Sequence, residues 1–364
     1  MMSMFNPPKI SVLMSVYNGK PYLSSAVESI IKQTFEDFEF IIVDDGSVDG
    51  SSELLDNYAK QDRRIKVIHQ DNQGLTKSLN RCLLQASGTF IARIDADDYC
   101  LHDRLEVQIN IMENDPDLVV LGSSRMIVDG NGNYLRTNFP PLTDLGIRWH
   151  LLYNNCFYHS SVIYRGDILR KNDLTYDENH LHSQDYALWS KLLNYGKGRN
   201  ILQPLIYFRS HQSQISILEK ESQLKCAQVI ALDNLAKLNL NISLSALNEC
   251  IRLFNSSYEH LVRSDWEYIH LFYIILQHFQ EIQKIDPDSY KRLKIFITDR
   301  IIYSYEKQRI FSRFVNSPVF KGLWEDANSD LLSYLPRRGV YKIRKYLKQT
   351  QREIDFIHPL NYGL

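Results

Sequence analysis

The sequence predicts an α/β protein: a mostly parallel sheet covered by helices on both faces, followed by a helical C-terminal region. Three observations carry that prediction. Apolar runs too unbroken for strands with one wet face recur through the first hundred residues, and stretches of helical periodicity separate them. Beyond residue 215, strand signals nearly vanish.

"KISVLMSVY" (9–17) is almost wholly apolar and β-branched, as a strand buried on both faces should be. After the turn "NGKP", Leu23, Ala26, Val27, Ile30 and Ile31 recur at helical spacing. "FEFIIVDDGS" predicts a second strand, and Leu54, Leu55 and Tyr58 mark a second helix with Ser51 or Ser52 as its cap. "IKVIH" and "TFIARID" supply two more strands around the helical face Leu75, Leu79, Cys82, Leu83 and Ala86. Strand and helix repeated in this order require crossover connections, hence parallel pairing. The pattern then changes. "LVVLGSSRMIV", "DGNG" and "YLRTNFPP" (118–141) read as a strand and hairpin. Mixed α/β signals run to about residue 215, and apolar residues then recur at three and four through 219–310, as in "LKCAQVIALDNLAKL". Two domains follow, 1–215 and 216–364.

Composition narrows the function. In 364 residues, 42 Lys and Arg nearly cancel 43 Asp and Glu, so there is no global basic field of the kind that grips nucleic acid. Charge must therefore act locally. The five cysteines are scattered, with no CxxC pair for zinc or redox work, and favour a reducing compartment. "MMSMFNPPK" lacks the pattern of a secretory leader, and "YIHLFYIILQHF" (268–279) is too short to span a bilayer. The expected location is cytoplasmic.

Local charge concentrates at two predicted strand ends. Asp44 and Asp45 close "IIVDD", and Asp95, Asp97 and Asp98 close "ARIDADD". In a parallel α/β sheet, ligands bind at the carboxyl ends of strands. Asp95 and Asp97 are two apart, so in extended backbone they project to one side. Oxygen-only ligation suits Mg²⁺ or Mn²⁺, which take one or two carboxylates and complete their shell with water and substrate phosphates. The competing reading is that Asp97 and Asp98 cap the helix beginning near "HDRLEVQ". "DGSVDGSSELLD" (45–56) also fits much of an EF-hand loop, but that loop must follow a helix and here follows a strand.

"SVLMSVYNGKPYLSSAVESIIKQTFEDFEFIIVDDGSVDGS", followed by "DNQGLTKSLNRCLLQASGTFIARIDADDYCLHDRL", closely resembles the family 2 inverting glycosyltransferases of the GT-A fold, over roughly residues 9–215. The resemblance implies a Rossmann-like mixed sheet and a UDP-sugar donor. By it, Asp97 would hold the metal, and Asp95, with Ala96 beside it, would lie against the ribose and metal-bound diphosphate. Asp45 would accept from the uracil N3, and Tyr17 would stack on the base, with Ser15 of the predicted first strand also at the nucleotide. Asn72 and Gly74 match the loop along the nucleotide, and Lys77 is a candidate for the phosphates. Read without the family, Tyr17 is a strand-end aromatic and Asn72 and Gly74 a plain turn.

"FYHSSVIYRGDIL" (157–169) and "TYDENHLHSQDYALWSKLLNYG" (175–196) resemble the acceptor side of the same family, where an acidic pair precedes an aromatic-rich helix. Here the pair is Gln184-Asp185, so the first acid is replaced. Asp185 is the candidate general base, with Asp177 and Glu178 as competitors and an N-cap as its structural alternative. The helix dipole is expected to keep Asp185 ionised. "YFRSHQSQIS" resembles the segment closing the catalytic domain, in which His211 would reach the metal or diphosphate.

The resemblance implies transfer of a hexosyl or N-acetylhexosaminyl group to a glycan or lipid-linked acceptor. A nucleotidyltransferase and a non-catalytic nucleotide-sugar scaffold are the rival readings, although neither G-x-G-x-x-G nor a Walker A pattern occurs. The helical region is expected to serve acceptor binding, homo-oligomerisation or membrane contact. Its segment "RRGVYKIRKYLKQTQR" (337–352) carries seven Lys or Arg and no acid, which suits either an anionic membrane's inner face or a solvated helix.

Overall fold

The computed structural model describes residues 7–255 and 265–294; the basic segment 337–352 lies outside the described residues. In chain order the elements are β1 (Ile10–Val16), α1 (Lys20–Ile31), β2 (Phe38–Asp44), α2 (Ser51–Gln61), β3 (Ile65–His69), α3 (Leu75–Gln85) and β4 (Phe90–Arg93). They continue with β5 (Tyr99–Cys100), α4 (Arg104–Asn114), β6 (Leu118–Asp129), β7 (Tyr134–Asn138), α5 (Asp144–His150), β8 (Ile163–Arg165), α6 (Gly166–Lys171) and α7 (Gln184–Leu192). β9 (Lys197–Ser210), α8 (Ile215–Leu218), α9 (Lys220–Ala236), α10 (Leu244–Asn255) and α11 (Asp265–Gln283) complete them.

The strands form one sheet in the order β3-β2-β1-β4-β8-β6-β9-β5, with β7 on β6. Parallel pairing holds from β3 through β4, as the strand-helix repeat predicts. Beyond β4 the sheet is mixed: β8 runs antiparallel to β4 and β6, β9 parallel to β6, and β5 antiparallel to β9. The predicted hairpin is β6–β7. The two-residue β5 is too short to leave a pattern in the sequence.

Period-two alternation sorts the strand residues between two cores. Val12, Met14 and Val16 of β1 and Phe40 and Ile42 of β2 pack on one face with Leu23, Ala26, Val27 and Ile30 of α1. Leu13, Ile41 and Val43 pack on the other with Leu79 and Cys82 of α3 and Trp189 of α7. Both faces are dry, which is why these strands read as continuous apolar runs. The cap expected of Ser51 or Ser52 is not made. Gly50 at φ 89° is the N-cap of α2, Asp49 accepts from Ser51 N at 3.0 Å, and the Ser51 hydroxyl accepts from Gly19 N instead. Ser51 thereby ties the β1–α1 turn to α2.

The chain divides into two compact units between Asn234 and Leu235, beyond the boundary expected near residue 215. The first unit extends because Ala227 and Ile230 of α9 pack into the second core, and Asn234 Nδ2 donates to Leu151 O at 2.8 Å. In the second unit, Leu247 and Cys250 of α10 and Ile275, Leu276 and Phe279 of α11 are buried. All five cysteines are free. No helix among the described residues is long and apolar enough to cross a membrane.

Candidate active site

The carboxyl edge of the parallel strands carries two acidic clusters, and their surroundings differ. At the end of β2, Asp44 and Asp45 are both buried. Asp44 accepts from Ser47 N, the Ser52 hydroxyl and the His69 ring at 3.2, 2.5 and 2.9 Å. Burial works against its ionisation, yet these donors hold its carboxyl below the usual range. Asp45 binds the loop between β3 and α3: Gln70 Nε2 and Gln73 N donate to Oδ1 at 2.6 and 2.8 Å, and Gly74 N donates to Oδ2 at 2.8 Å.

That loop needs its glycine. Gly74 has φ 90° and ψ 163°, a region essentially closed to other residues, and this conformation directs its N–H at Asp45. Asn72 is exposed on the loop, and Lys77 is exposed on the first turn of α3. Tyr17, just past β1, is 56% exposed, as a stacking platform must be, while Ser15 lies half-buried on β1. The residues assigned to the nucleotide therefore come to one edge.

The cluster after β4 has a different balance. Residues 95–98 form a turn, with Asp98 N donating to Asp95 O at 3.3 Å, so the same-side geometry expected of an extended Asp95 and Asp97 does not apply. The turn converges the carboxylates instead. Ser160 Oγ lies 2.7 Å from Asp95 Oδ2 and 2.5 Å from Asp98 Oδ2, and accepts from Asp95 N at 3.1 Å. A hydroxyl has one proton, so both short contacts are satisfied when Asp98 is protonated: it donates to Ser160, which donates to Asp95. Burial, with the charges of Asp97 and Asp95 beside it, pushes Asp98 well above the usual carboxylate range. Burial also opposes ionisation of Asp95, but the fully buried Arg93 guanidinium pairs with it and holds it low.

The side chains of Asp95 and Asp97 are both about one-third exposed, but Asp95 pairs with a guanidinium and Asp97 does not. Burial and then the Asp95 charge push the Asp97 carboxyl upward. His211 Nε2 stands 3.0 Å from its Oδ2, and the ring rests on Tyr22 at 4.8 Å. β9 makes this approach possible. Its register with β6 shifts around Pro204, re-aiming the strand so that Ile206 and Tyr207 pair with β5 and the chain beyond reaches the turn. Arg209 then donates its N to Asp98 Oδ1 at 2.9 Å and its Nε to Asp97 O at 3.0 Å. Capping of α4 by Asp97 or Asp98 is not observed: the N-cap is Asp103.

Among the described residues, no group of three or more His, Cys, Asp or Glu forms a metal cluster. An Asp97–His211 pair fits the alternative case, in which a hard cation takes few protein ligands and completes its shell from water and a diphosphate. Burial and then the Asp95 charge oppose ionisation of Asp97, and a cation bound there would favour its ionised form. Ala96 adjoins this pair, with its Cβ against the turn at Gly19.

Asp185 is the second residue of α7, whose N-cap is Ser183 at φ 59°, so it is not the cap. Asn155 Nδ2 donates to its Oδ2 at 2.7 Å and Tyr186 N to its Oδ1 at 2.8 Å. Burial outweighs these donors and raises its pKa to about 6, so Asp185 is still ionised at neutral pH, as expected, but with a carboxyl shifted upward by burial. The competitors are engaged elsewhere. Asp177 meets Lys191 at 3.2 Å, and Glu178 accepts from Asn80 at 3.1 Å. Both line a cavity of about 320 Å³ whose walls do not include Asp185.

Sequence reasoning missed Ser160, Asn155, Arg209 and Gln70. Ser160 and Arg209 lie inside the stretches "FYHSSV" and "YFRSH", but nothing in their spacing pointed to the carboxylates they contact.

A model described as glycosyl transferase family 2 matches residues 11–173. An uncharacterised glycosyltransferase of Haemophilus influenzae is 30% identical over 241 residues, covering 64% of this chain and 75% of that protein. The uncharacterised glycosyltransferase MJ1057 of Methanocaldococcus jannaschii is 36% identical over 197 residues, covering 53% and 67%. Among solved structures, S. aureus TarS 1–349 in complex with UDP-GlcNAc aligns with a TM-score of 0.52 at 20% identity, over 86% of this chain and 92% of that one. At that identity the likeness establishes the fold.

Proposed function

The chain belongs to glycosyl transferase family 2, and from that premise we propose that it moves a sugar from a UDP-sugar to a glycan or lipid-linked glycan, inverting the anomeric centre, with Mg²⁺ or Mn²⁺ held at Asp97. The observation that carries the reading is the meeting of Asp97 Oδ2 and His211 Nε2 at 3.0 Å, at the strand edge shared with Asp45 and the Gly74 loop. The complex of the similarly folded TarS with UDP-GlcNAc supports a uridine diphosphate donor.

Tyr17 stacks on the base, and Asp45 Oδ2, which keeps a lone pair beyond its bond from Gly74, accepts from the base N3. Asn72 and Gly74 lie along the nucleotide, and Lys77 approaches the phosphates. Asp95 faces the ribose and diphosphate. When bound, the cation neutralises charge building on the departing diphosphate. Asp185 is the general base: a carboxyl with a pKa of about 6 is ionised at neutral pH and still basic enough to take a proton in the transition state. The acceptor oxygen forms its bond to the anomeric carbon as the bond to the diphosphate breaks. The electron pair leaves with UDP, and the hydroxyl proton passes to Asp185.

Incubation with a panel of UDP-sugars, metal and candidate acceptors tests the proposal through UDP release. Asp185→Asn should fold, bind UDP with metal and lose turnover by roughly 10² to 10⁴, the usual contribution of a positioned base. Near-normal turnover would move the base to Asp177 or Glu178. Release of pyrophosphate would favour nucleotidyl transfer, and release of neither product a binding scaffold.

A further inference from the structure

Arg125 lies on β6, opposite Ile206 of β9 and Asn138 of β7. Its guanidinium carbon is 4.0 Å from the centroid of the Tyr158 ring and 4.1 Å from that of Phe208. Aromatic rings pack against the cation from these two positions, an arrangement that favours its retention and fixes its plane. A guanidinium held this way offers a ligand only its in-plane edge of N–H donors.

That edge is unused. Arg125 has neither an ion pair nor a hydrogen bond among the described residues, and its Nε is sealed from solvent without an acceptor. The other arginines around this turn each have a partner, although the Arg93 nitrogens and Arg104 Nη1 also lack a hydrogen bond. Arg93 pairs with Asp95, Arg104 donates to Arg93 O and Val162 O, and Arg209 donates to Asp97 O and Gly130 O. A packing role alone would not call for a partly desolvated cation without an acceptor, since an unbranched apolar chain fills such a slot without that penalty.

Both rings are anchored at the carboxylate turn. Tyr158 lies two residues before Ser160, whose hydroxyl meets Asp95 and Asp98; Phe208 precedes Arg209, whose N–H donates to Asp98. Arg125 is thus packed on the two segments that contact the carboxylate turn, near the site assigned to the donor's diphosphate, with its terminal Nη donors left for a ligand. We infer that Arg125 binds a phosphate-type oxyanion of a substrate through these donors. The inference rests on the sugar-transfer reading, which supplies two sources of such an oxyanion: the diphosphate of the donor and a phosphate carried by the acceptor.

Calorimetric titration of the full-length chain separates them. Arg125→Met keeps an unbranched chain between the rings, and Arg125→Lys keeps charge without the planar fork. UDP with Mg²⁺ is titrated first, and inorganic phosphate is then titrated onto both the free and the UDP-loaded protein. One of the two ligands should bind Arg125→Met about tenfold or more weakly than the native chain, with Arg125→Lys recovering only part of the loss. Loss confined to UDP assigns the oxyanion to the donor, and loss confined to phosphate assigns it to a second, acceptor-borne group. Binding of both ligands within twofold of native in both variants would overturn the inference. Should the native chain bind no UDP, the donor reading fails by itself, and phosphate on the free protein still tests Arg125. Melting curves verify folding, and if Arg125→Met melts early, Arg125→Lys carries the comparison.

Discussion

The ends of β2 and β4 bring five aspartates to one edge of one sheet, and the structure treats them in opposite ways. At β2 the negative charge is met by protein donors: two serines and a histidine on Asp44, and the 70–74 loop on Asp45. At β4 the donors run short. Arg93 pairs with Asp95, while burial and then the Asp95 charge push Asp97 up, and burial and then the charges of Asp97 and Asp95 push Asp98 up. An acidic strand end is therefore not in itself a metal site. The one whose charge the protein leaves uncompensated is the one suited to an external cation.

Removing that cation should have the largest effect. Excess EDTA, or Asp97→Ala with metal present, should lower UDP release by about a thousandfold, the size expected when roughly 4 kcal/mol of charge stabilisation is removed. Asp44→Asn should stay metal-dependent. Full turnover in EDTA would erase the distinction between the two clusters.

Next in size is the pH dependence of the acceptor side. A base with a pKa raised to about 6 is protonated below that pH, so turnover should fall about tenfold per unit on the acid side and level off above it. Asp185→Asn should abolish this limb in a pH–rate profile. A limb unchanged in the variant would assign it to another group.

Stability should then separate the clusters by sign. The folded-state pKa of Asp44 is lowered, so its contribution is present above the unfolded value and lost as pH falls through the folded one. Asp44→Asn should cost about 1.5–3 kcal/mol at pH 7. Asp98 is raised, so its contribution is full below the unfolded pKa and lost as pH rises toward the folded one. Asp98→Asn mimics the protonated acid, keeping an acceptor for Arg209 N and a donor for Ser160. Urea melts of that variant at pH 7 should equal or exceed the native protein, and a loss comparable to that of Asp44→Asn would refute the protonated assignment.

The smallest expected change tests the loop that Asp45 holds. A Cβ at Gly74 meets nothing within 4 Å, so Gly74→Ala should cost only its backbone strain, about 1–2 kcal/mol. A cost near zero would mean that the loop relaxes freely and that Asp45 does not fix its conformation.

Much of this was legible along the chain. The unbroken apolar runs of β1 and β2, the helical face of α1 and the hairpin of β6 and β7 follow from periods of 2 and 3.6, which are properties of neighbouring residues. The acidic strand ends were visible for the same reason, and the resemblance added Asp97, His211 and Asp185. What closes around those groups was not. Ser160 is 65 residues from Asp95, Asn155 is 30 from Asp185, and Arg209 is 111 from Asp98. A serine hydroxyl or an amide has no periodic signature, and its partner is chosen by the order in which β8, β6 and β9 join the sheet. Burial is likewise a property of the assembled cores, so it took the fold to decide that Asp185 is raised to about 6 against its helix dipole. Short-range patterning writes the elements and where charge accumulates; only their packing determines which charges are answered from within.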